Sequence, residues 1–152
     1  VENLHNFLRL TGGERKKLAF ALVFLPLIAL GLRWIGFRRV QRALSIRQSP
    51  ATTGAVPQDF HEAKRLGRLV TIAARHGVCQ ATCLPVALTL AWMLRREGIQ
   101  SELRLGVRKD ADRLEAHAWV ELEGVPLIGS AQVRERFAAF EPIDAWFKSN
   151  LP

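Results

Sequence analysis

The stretch LPVALTLAWMLRRE, residues 84–97, decides the fold because its apolar side chains lie on nearly every side of a helix. A helix that is apolar all round is buried on most sides, so this one is predicted to form the centre of the domain. Pro85 suits the first helical turn, where its missing N–H is not needed, and Gly98 suits the C-terminal cap. The rest of the chain is therefore expected to pack around this central helix.

Downstream of the central helix, the apolar period changes from about 3.6 residues to two, which is typical of strands. Leucine and valine alternate with polar residues over 103–107. Residues 116–122 show the same period, because small or apolar residues at the even positions alternate with His117, Trp119 and Glu121. The pattern predicts a hairpin of two strands, joined through residues 108–114.

The remaining C-terminal residues carry weaker signals. Glu123 and Gly124 predict a second tight turn, which leads into a short third strand over residues 125–128. Residues 131–152 are predicted to form a short helix and a loosely packed tail, in which Asp144 caps a last turn.

Residues 45–56, SIRQSPATTGAV, form the clearest linker because they contain Ser, Thr, Gly and Pro and show little apolar periodicity. Asp59 followed by Glu62 has the spacing of a capped helix start, with Asp59 as the N-cap. Apolar residues then recur every three or four positions, which predicts a helix that runs to about Arg75 and stops at Gly77. Helices followed by a small antiparallel sheet indicate an α+β fold.

The N-terminal third contains an uncharged run, LAFALVFLPLIALGL, over residues 18–32, with basic residues at both ends. The run is shorter than the roughly 20 residues that a membrane span needs. Pro26 is expected to kink or split a helix at this point. The length favours a helix in the membrane interface or apolar helices packed on the core, and a short span is the third interpretation. Basic residues beside an apolar helix are also often only its solvated ends.

The charge of the chain is concentrated in this same third. The 152 residues carry 22 Lys and Arg against 14 Asp and Glu, a net charge of +8. Residues 1–50 hold nine basic and two acidic residues, net +7, and residues 51–152 hold thirteen and twelve, net +1. This distribution argues against a nucleic-acid-binding surface spread over the fold. We therefore predict a basic apolar helical region, residues 1–48, and a second domain, residues 57–152.

The two cysteines, Cys79 and Cys83, are too few for a disulfide scaffold, so a reducing, cytoplasmic location is expected. A zinc site would need a second cysteine pair or both His76 and His117, and the sequence predicts no metal and no cofactor. Cys83 lies in the first turn of the predicted central helix, where unpaired N–H groups and the helix dipole stabilise a thiolate. The alternative is that Cys83 is a small buried apolar residue, as most free cysteines are.

A thiol nucleophile needs a base within hydrogen-bond reach, normally a histidine that the fold brings near. His117 is the best placed of the four histidines because a strand would hold its ring, although a lone strand histidine is more often structural. Strand alternation puts His117 and Trp119 on the same face. If His117 faces Cys83, the central helix should cover that face, and the N-terminal helices should cover the small apolar face behind it.

Residues 73–127, AARHGVCQATCLPVALTLAWMLRREGIQSELRLGVRKDADRLEAHAWVELEGVPL, resemble the transglutaminase-like cysteine protease of lasso peptide biosynthesis, the protease half of the split leader-processing protein. Four motifs carry the resemblance: ATCLP at 81–85, LRREGI at 94–99, LRLGVRK at 103–109 and EAHAWVE at 115–121. The apolar, arginine-flanked N-terminal third is similar to that family in character, though in no single motif.

The resemblance implies a papain-like or transglutaminase-like core, and a hydrolase that removes the leader peptide from a ribosomally synthesised lasso peptide precursor. Cys83 matches the nucleophile of that family and His117 its general base. The thiolate would attack the scissile carbonyl, the imidazolium would protonate the leaving amine, and water would hydrolyse the thioester. The backbone N–H of Cys83 is the natural oxyanion donor, and Gln80 is a candidate for a second.

One position departs from the pattern of that family. The aspartate that orients the imidazole, twelve residues after the histidine, is replaced here by Gly129. Glu121 cannot readily stand in, because four strand residues place it roughly 13 Å from His117. Ser130, Gln132 or a backbone carbonyl near Gly129 are the candidates for orienting the ring. A slow dyad, a substituted triad and an inactive relative therefore all stay open.

The resemblance also implies partners. That family works with a small winged helix-turn-helix protein that binds the leader, and no such segment is found here, so we expect it to act in trans on the precursor peptide. The lasso cyclase is a further expected partner, and residues 15–39 are the expected docking surface for a partner or a membrane. The alternative function is a catalytically impaired scaffold that holds the precursor for partner enzymes. Another acyl transfer and a redox pair of Cys79 and Cys83 are more distant hypotheses.

Overall fold

The computed structural model describes residues 11–44, 57–77, 82–110, 113–129 and 133–139. Within these ranges the chain forms, in order, α1 (Gly12–Trp34), α2 (Phe37–Ala43), α3 (Pro57–His76), α4 (Cys83–Arg96), β1 (Glu102–Asp110), β2 (Arg113–Leu122), β3 (Val125–Pro126), α5 (Val133–Arg136) and β4 (Ala138–Ala139). The strands form one antiparallel sheet in the order β3-β2-β1-β4. The predicted α+β fold is confirmed.

Helix α1 is continuous through Pro26, so of the kink or split predicted at this proline, the split does not occur. A capping box starts the helix, because the Thr11 N–H donates to the Glu14 carboxylate at 2.7 Å and the Thr11 hydroxyl accepts from the Glu14 N–H. Leu25 and Ile28, on either side of the proline, are both buried. Tertiary packing on both sides of Pro26 outweighs the one backbone hydrogen bond that it removes.

Helix α3 begins at Pro57, two residues before Asp59, so the prediction of Asp59 as the N-cap is wrong. Proline is favoured at the first helical position because the N–H that it lacks would be unpaired there anyway, and Asp59 lies in the first turn instead. The helix ends at His76, and the Gly77 N–H donates to the Ala73 carbonyl at 2.8 Å. The predicted end of this helix is therefore confirmed.

Helix α4 is the predicted central helix. Leu88, Leu90 and Leu94 are fully buried, and the one buried hydroxyl of the helix, on Thr89, donates to the Pro85 carbonyl at 2.8 Å. The helix packs against α1, α3, β1 and β2. The buried core cluster comprises residues of α1, α2, α3, α4 and one sheet face, with members such as Leu18, Ala21, Leu25, Ile28, Leu66, Val70, Leu88, Leu94, Leu103, Ala118, Val120 and Leu122.

Strands β1 and β2 extend further towards their connection than predicted. They pair as far as Asp110 with Arg113, so the prediction that residues 108–114 form the connection is wrong. Arg108 lies opposite Glu115, and its guanidinium reaches the Glu115 carboxylate at 2.6 Å. This cross-strand ion pair replaces the apolar alternation on which the prediction depended.

The turn after β2 is confirmed, because Glu123 has φ +47° and Gly124 has φ +77°, as a type I′ hairpin turn requires. The third strand is only Val125–Pro126, two residues shorter than predicted. The predicted short C-terminal helix is confirmed as α5, whereas Asp144 lies outside the described residues.

The central helix packs on the face of β2 opposite to that of His117. Ala118, Val120 and Leu122 belong to the core cluster with the leucines of α4, and strand alternation places His117 and Trp119 on the other face. The arrangement expected if His117 faces Cys83, with the central helix on the His117 face, is therefore not the one found. Helix α1 packs on α3 and α4, so it does not take the place of α4 against the small apolar face.

The reason for this arrangement is the size of the side chains. The small apolar face of β2 gives the leucines of α4 room to approach, whereas Trp119 fills the other face. Gly106 lies opposite His117 on β1, and a Cβ there would lie 2.9 Å from the Trp119 ring. The tryptophan thus occupies the space that a side chain at position 106 would need. The predicted division of the chain at residues 48 and 57 stays a prediction.

Candidate active site

Cys83 is the first residue of α4, and its half-buried thiol forms no disulfide. Thr82 is the N-cap, with extended backbone, but its side chain makes no capping hydrogen bond. The Thr82 hydroxyl therefore does not cap the N–H groups of the first turn. These groups, together with the helix dipole, stabilise negative charge on a thiolate or on an oxyanion beside it.

His117 lies on β2, with its ring between two aromatic side chains. The ring centroid lies 5.1 Å from that of Phe137 and 6.1 Å from that of Trp119, and both pairs are stacked. Burial lowers the pKa of His117 below its ordinary value of 6.5, because the aromatic surroundings disfavour the charged imidazolium. The ring is therefore neutral at neutral pH, which is the form that accepts a proton.

Gly129 lies beside the imidazole of His117. A Cβ at position 129 would lie 3.8 Å from His117 Nε2, so a side chain there would reach the ring. The residue adopts φ +89°, a conformation that most L-residues avoid. Position 129, where the sequence resemblance led us to expect an orienting aspartate, is thus next to the histidine but carries no side chain.

The segment that leads to Gly129 is held in place by close contact with α3. A Cβ on Gly67 would lie 2.8 Å from the Leu127 carbonyl oxygen and 3.3 Å from the Ile128 side chain. Only a glycine at position 67 permits this approach. Helix α3 therefore holds this segment in place, although the sequence pattern of α3 gives no sign of this role.

Glu121 does not serve His117, as the strand distance predicted. Its carboxylate is 1% exposed and accepts a hydrogen bond from Trp119 Nε1 at 2.7 Å, and Arg104 Nε lies 3.4 Å from the second oxygen. The buried carboxylate is thus compensated by a ring N–H and a guanidinium. Strand alternation could have predicted this group, since Arg104 and Glu121 lie on the same face as Trp119.

Phe137 is a residue of the site that sequence reasoning missed. It follows α5, stacks on His117 and lies under the guanidinium of Arg108, whose Cζ is 5.3 Å from the ring centroid. No motif or spacing points to Phe137, because the contact depends on β4 pairing with β1 across a long connection.

The structure brings His117 and Gly129 together but does not join His117 to Cys83. Among the described residues no hydrogen bond links the Cys83 thiol to the His117 ring, and Cys83 lies partly buried against the core cluster. Gln80, Ser130 and Gln132, the other predicted site residues, lie outside the described ranges. Within those ranges no cluster of three or more metal-ligating side chains occurs.

Comparison with known proteins identifies the family. Residues 24–141 match the transglutaminase-like superfamily, a span that covers well over half of the chain. The chain therefore belongs to the transglutaminase-like superfamily, which includes cysteine peptidases. No curated protein and no solved structure gives a significant match.

Proposed function

We propose that this protein is a cysteine peptidase that removes the leader peptide from a lasso peptide precursor. The observation that carries the proposal is the position of Cys83 at the start of the central helix of a transglutaminase-like chain. The neutral ring of His117 supports a role as general base. The choice of substrate rests on the four sequence motifs that resemble the lasso leader peptidase.

In the proposed reaction, the neutral imidazole of His117 accepts the proton of the Cys83 thiol. The thiolate attacks the scissile carbonyl carbon and forms a C–S bond, and the N–H of Cys83 stabilises the oxyanion. The imidazolium gives its proton to the leaving amine as the C–N bond breaks. Water then hydrolyses the thioester that joins the leader to Cys83, which releases the leader and the free thiol.

This chemistry requires the ring of His117 to approach the thiol of Cys83 to roughly 3 Å. Because α4 packs on the face of β2 opposite to His117, the proposal includes a shift of this end of β2 or of the start of α4 when the precursor binds. We expect the precursor and its winged helix-turn-helix recognition protein, acting in trans in the cytoplasm, to complete the site. The lasso cyclase, which would receive the released core peptide, is a further proposed partner.

A second candidate function is a catalytically impaired scaffold of the same fold that holds the precursor for partner enzymes. The absence of a side chain at Gly129, directly beside His117, supports it. A histidine without its orienting carboxylate is a slower base, and a binding protein has no need of that carboxylate.

Mass spectrometry of the precursor, incubated with the recognition protein and this protein, separates the two functions. The peptidase predicts leader release that is abolished by Cys83→Ala and retained by Cys79→Ala, the matched change in the other cysteine. Release that Cys83→Ala leaves intact would contradict the proposal. Absence of release from the unsubstituted protein, with the precursor still retained on it in a pull-down, would favour the scaffold.

A further inference from the structure

Helix α1 carries a second apolar face, directed away from the core. Its outer row comprises residues at the helical spacing of four, three and four: Val23, Leu27, Leu30 and Trp34, which are 63, 57, 54 and 77% exposed. Among the described residues, α1 is the one helix long and apolar enough to cross a membrane, yet only 22% of its most apolar 18 residues are buried. A core helix would be mostly buried, so the outer row needs another explanation.

The inner face of α1 is bound to the rest of the fold. Leu18, Ala21, Leu25 and Ile28 are buried in the core. Lys17 Nζ lies 2.7 Å from the Glu62 carboxylate on α3 and 3.0 Å from that of Glu97, which follows α4. A transmembrane position for α1 would break all of these contacts. Because the inner face of α1 stays packed on the core, only its outer row can enter a membrane.

Cations are found at both ends of the outer row. Lys16 is exposed at the N-terminal end and Arg33 at the C-terminal end, and Arg39 and Arg42 are exposed on α2, the helix that follows. Lys16 and Arg33 are 17 residues apart, which is about 26 Å along a helix. The only acidic residue within residues 12–43 is Glu14, and Arg65 binds it at 2.7 Å. A membrane span would leave one group of cations on each side of the bilayer, whereas a helix lying flat keeps both groups at the headgroups.

A cleft of about 280 Å³ opens beside the N-terminal end of the row, between α1 and the end of α4. Its lining includes Lys16, Lys17, Trp92, Arg96 and Glu97. Glu97 is engaged by Lys17, and Arg96 lies over the Trp92 ring at 5.0 Å, which leaves the mouth of the cleft positive. The cleft is complementary in charge to a phosphate headgroup.

From these contacts we infer that α1 docks the protein flat on the surface of a bilayer that contains anionic lipids. The outer row enters the boundary between headgroups and acyl chains, Trp34 lies at the headgroup level, and the basic residues at both ends bind lipid phosphates. The docked helix keeps its inner face on α3 and α4. This surface is independent of Cys83 and His117, so it places the protein and does not take part in the reaction.

Co-sedimentation of the full chain with vesicles tests the inference. Vesicles of phosphatidylcholine with phosphatidylglycerol should bind the protein. Vesicles of phosphatidylcholine alone should bind it at least about tenfold more weakly. The double variant Leu27→Gln with Leu30→Gln should lower binding to anionic vesicles by about tenfold or more. The matched control is Leu114→Gln, on a 73% exposed leucine of β2, which should bind like the unsubstituted protein.

The charges are tested in the same assay. Lys16→Gln with Arg33→Gln should weaken binding to anionic vesicles and reduce its dependence on salt. Lys109→Gln with Arg113→Gln, which removes two exposed cations from the hairpin, is the matched control and should change neither. Anionic vesicles should shift the tryptophan emission to shorter wavelength, and Trp34→Phe should remove that shift.

Three results would overturn the inference. The first is a Leu27→Gln, Leu30→Gln variant that folds, by circular dichroism, and binds anionic vesicles as well as the unsubstituted protein does. The second is a protein that ignores vesicles but self-associates through these leucines, which would make a second copy the occupant. The third is bound protein that resists alkaline extraction, which would indicate a span. Leader release in solution does not depend on docking, so it tests the proposed function separately.

Discussion

At the scale of single residues, the site is defined by what surrounds His117. Phe137 and Trp119 stack on the half-buried ring and shield part of it from water, and burial lowers the pKa of His117. In the free protein we expect His117 to titrate below pH 6.5, and Phe137→Ala to move its pKa back up. NMR titration of the His117 ring in the Cys83→Ala protein, with and without Phe137→Ala, measures the two pKa values. A pKa at or above 6.5 in the Cys83→Ala protein would contradict this description of the site.

The same shift affects stability. Because the folded protein disfavours the charged ring, the unfolded chain binds a proton first as the pH falls. The stability contributed by neutral His117 is therefore present above pH 6.5 and is lost as the pH falls through the lowered pKa. The acid limb of kcat/KM for leader release should follow the folded pKa of this same group.

Position 129 gives the second prediction at this scale. Gly129→Asp places a carboxylate beside His117 Nε2, which should raise the pKa of the ring and increase leader release by about tenfold or more. The positive φ destabilises any L-residue there by about 1–2 kcal/mol. Gly98→Asp is the matched control, since Gly98 has φ +80° with nothing within 4 Å of its added Cβ. A scaffold would gain no activity from Gly129→Asp.

At the scale of the elements, the start of α1 joins two helices. Glu14 accepts the Thr11 N–H in the capping box, and its carboxylate binds Arg65 of α3. The Thr11 backbone hydrogen bond and then Arg65 lower the pKa of Glu14 to about 2. The resulting stability is fully present above the ordinary pKa of 4.5 and is lost as the pH falls towards 2.

Glu14→Gln tests this pairing. At neutral pH the variant should be less stable than the unsubstituted protein, and the difference should shrink as the pH falls from 4.5 to 2. Urea unfolding at several pH values measures the free energy of unfolding of both proteins. Glu135→Gln, in the first turn of α5, is the control and should leave the profile unchanged. A difference that does not depend on pH would show that the charge of Glu14 is not involved.

The elements also show how far the sequence could be read. The all-round apolar pattern of α4 and the period of two in β1 and β2 were sufficient for the central helix and the hairpin. The predicted end of β1 was wrong because the ion pair of Arg108 with Glu115 interrupts the apolar pattern. Alternation gave the two faces of β2, but side-chain size decided which face α4 covers. Phe137 reaches His117 only through long-range pairing of β4, which local patterns do not contain.

At the scale of the whole molecule, α1 serves two roles. Its inner face completes the core over α3 and α4, and its outer row faces away from that core. A chain that begins at residue 49 would expose the apolar residues that α1 covers, and four buried residues of α1 would be lost. We expect this shortened chain to lose cooperative unfolding, or to melt at a much lower temperature than the full chain.

Circular dichroism melts of the full and shortened chains check this expectation. The Leu27→Gln, Leu30→Gln variant is the control, because it changes only the outer row and should melt within a few degrees of the unsubstituted protein. A shortened chain that melts like the full chain would show that residues 1–48 form a separate unit, as the sequence-based division of the chain assumed.

The central claim is that Cys83 forms a covalent bond with the leader. The most direct measurement is intact mass spectrometry of the protein, quenched in acid while it acts on the precursor with the recognition protein. We predict an added mass equal to the leader peptide less one water, located on Cys83 by peptide mapping and absent from Cys83→Ala. Leader release without any adduct on Cys83, and undiminished in Cys83→Ala, would contradict the account.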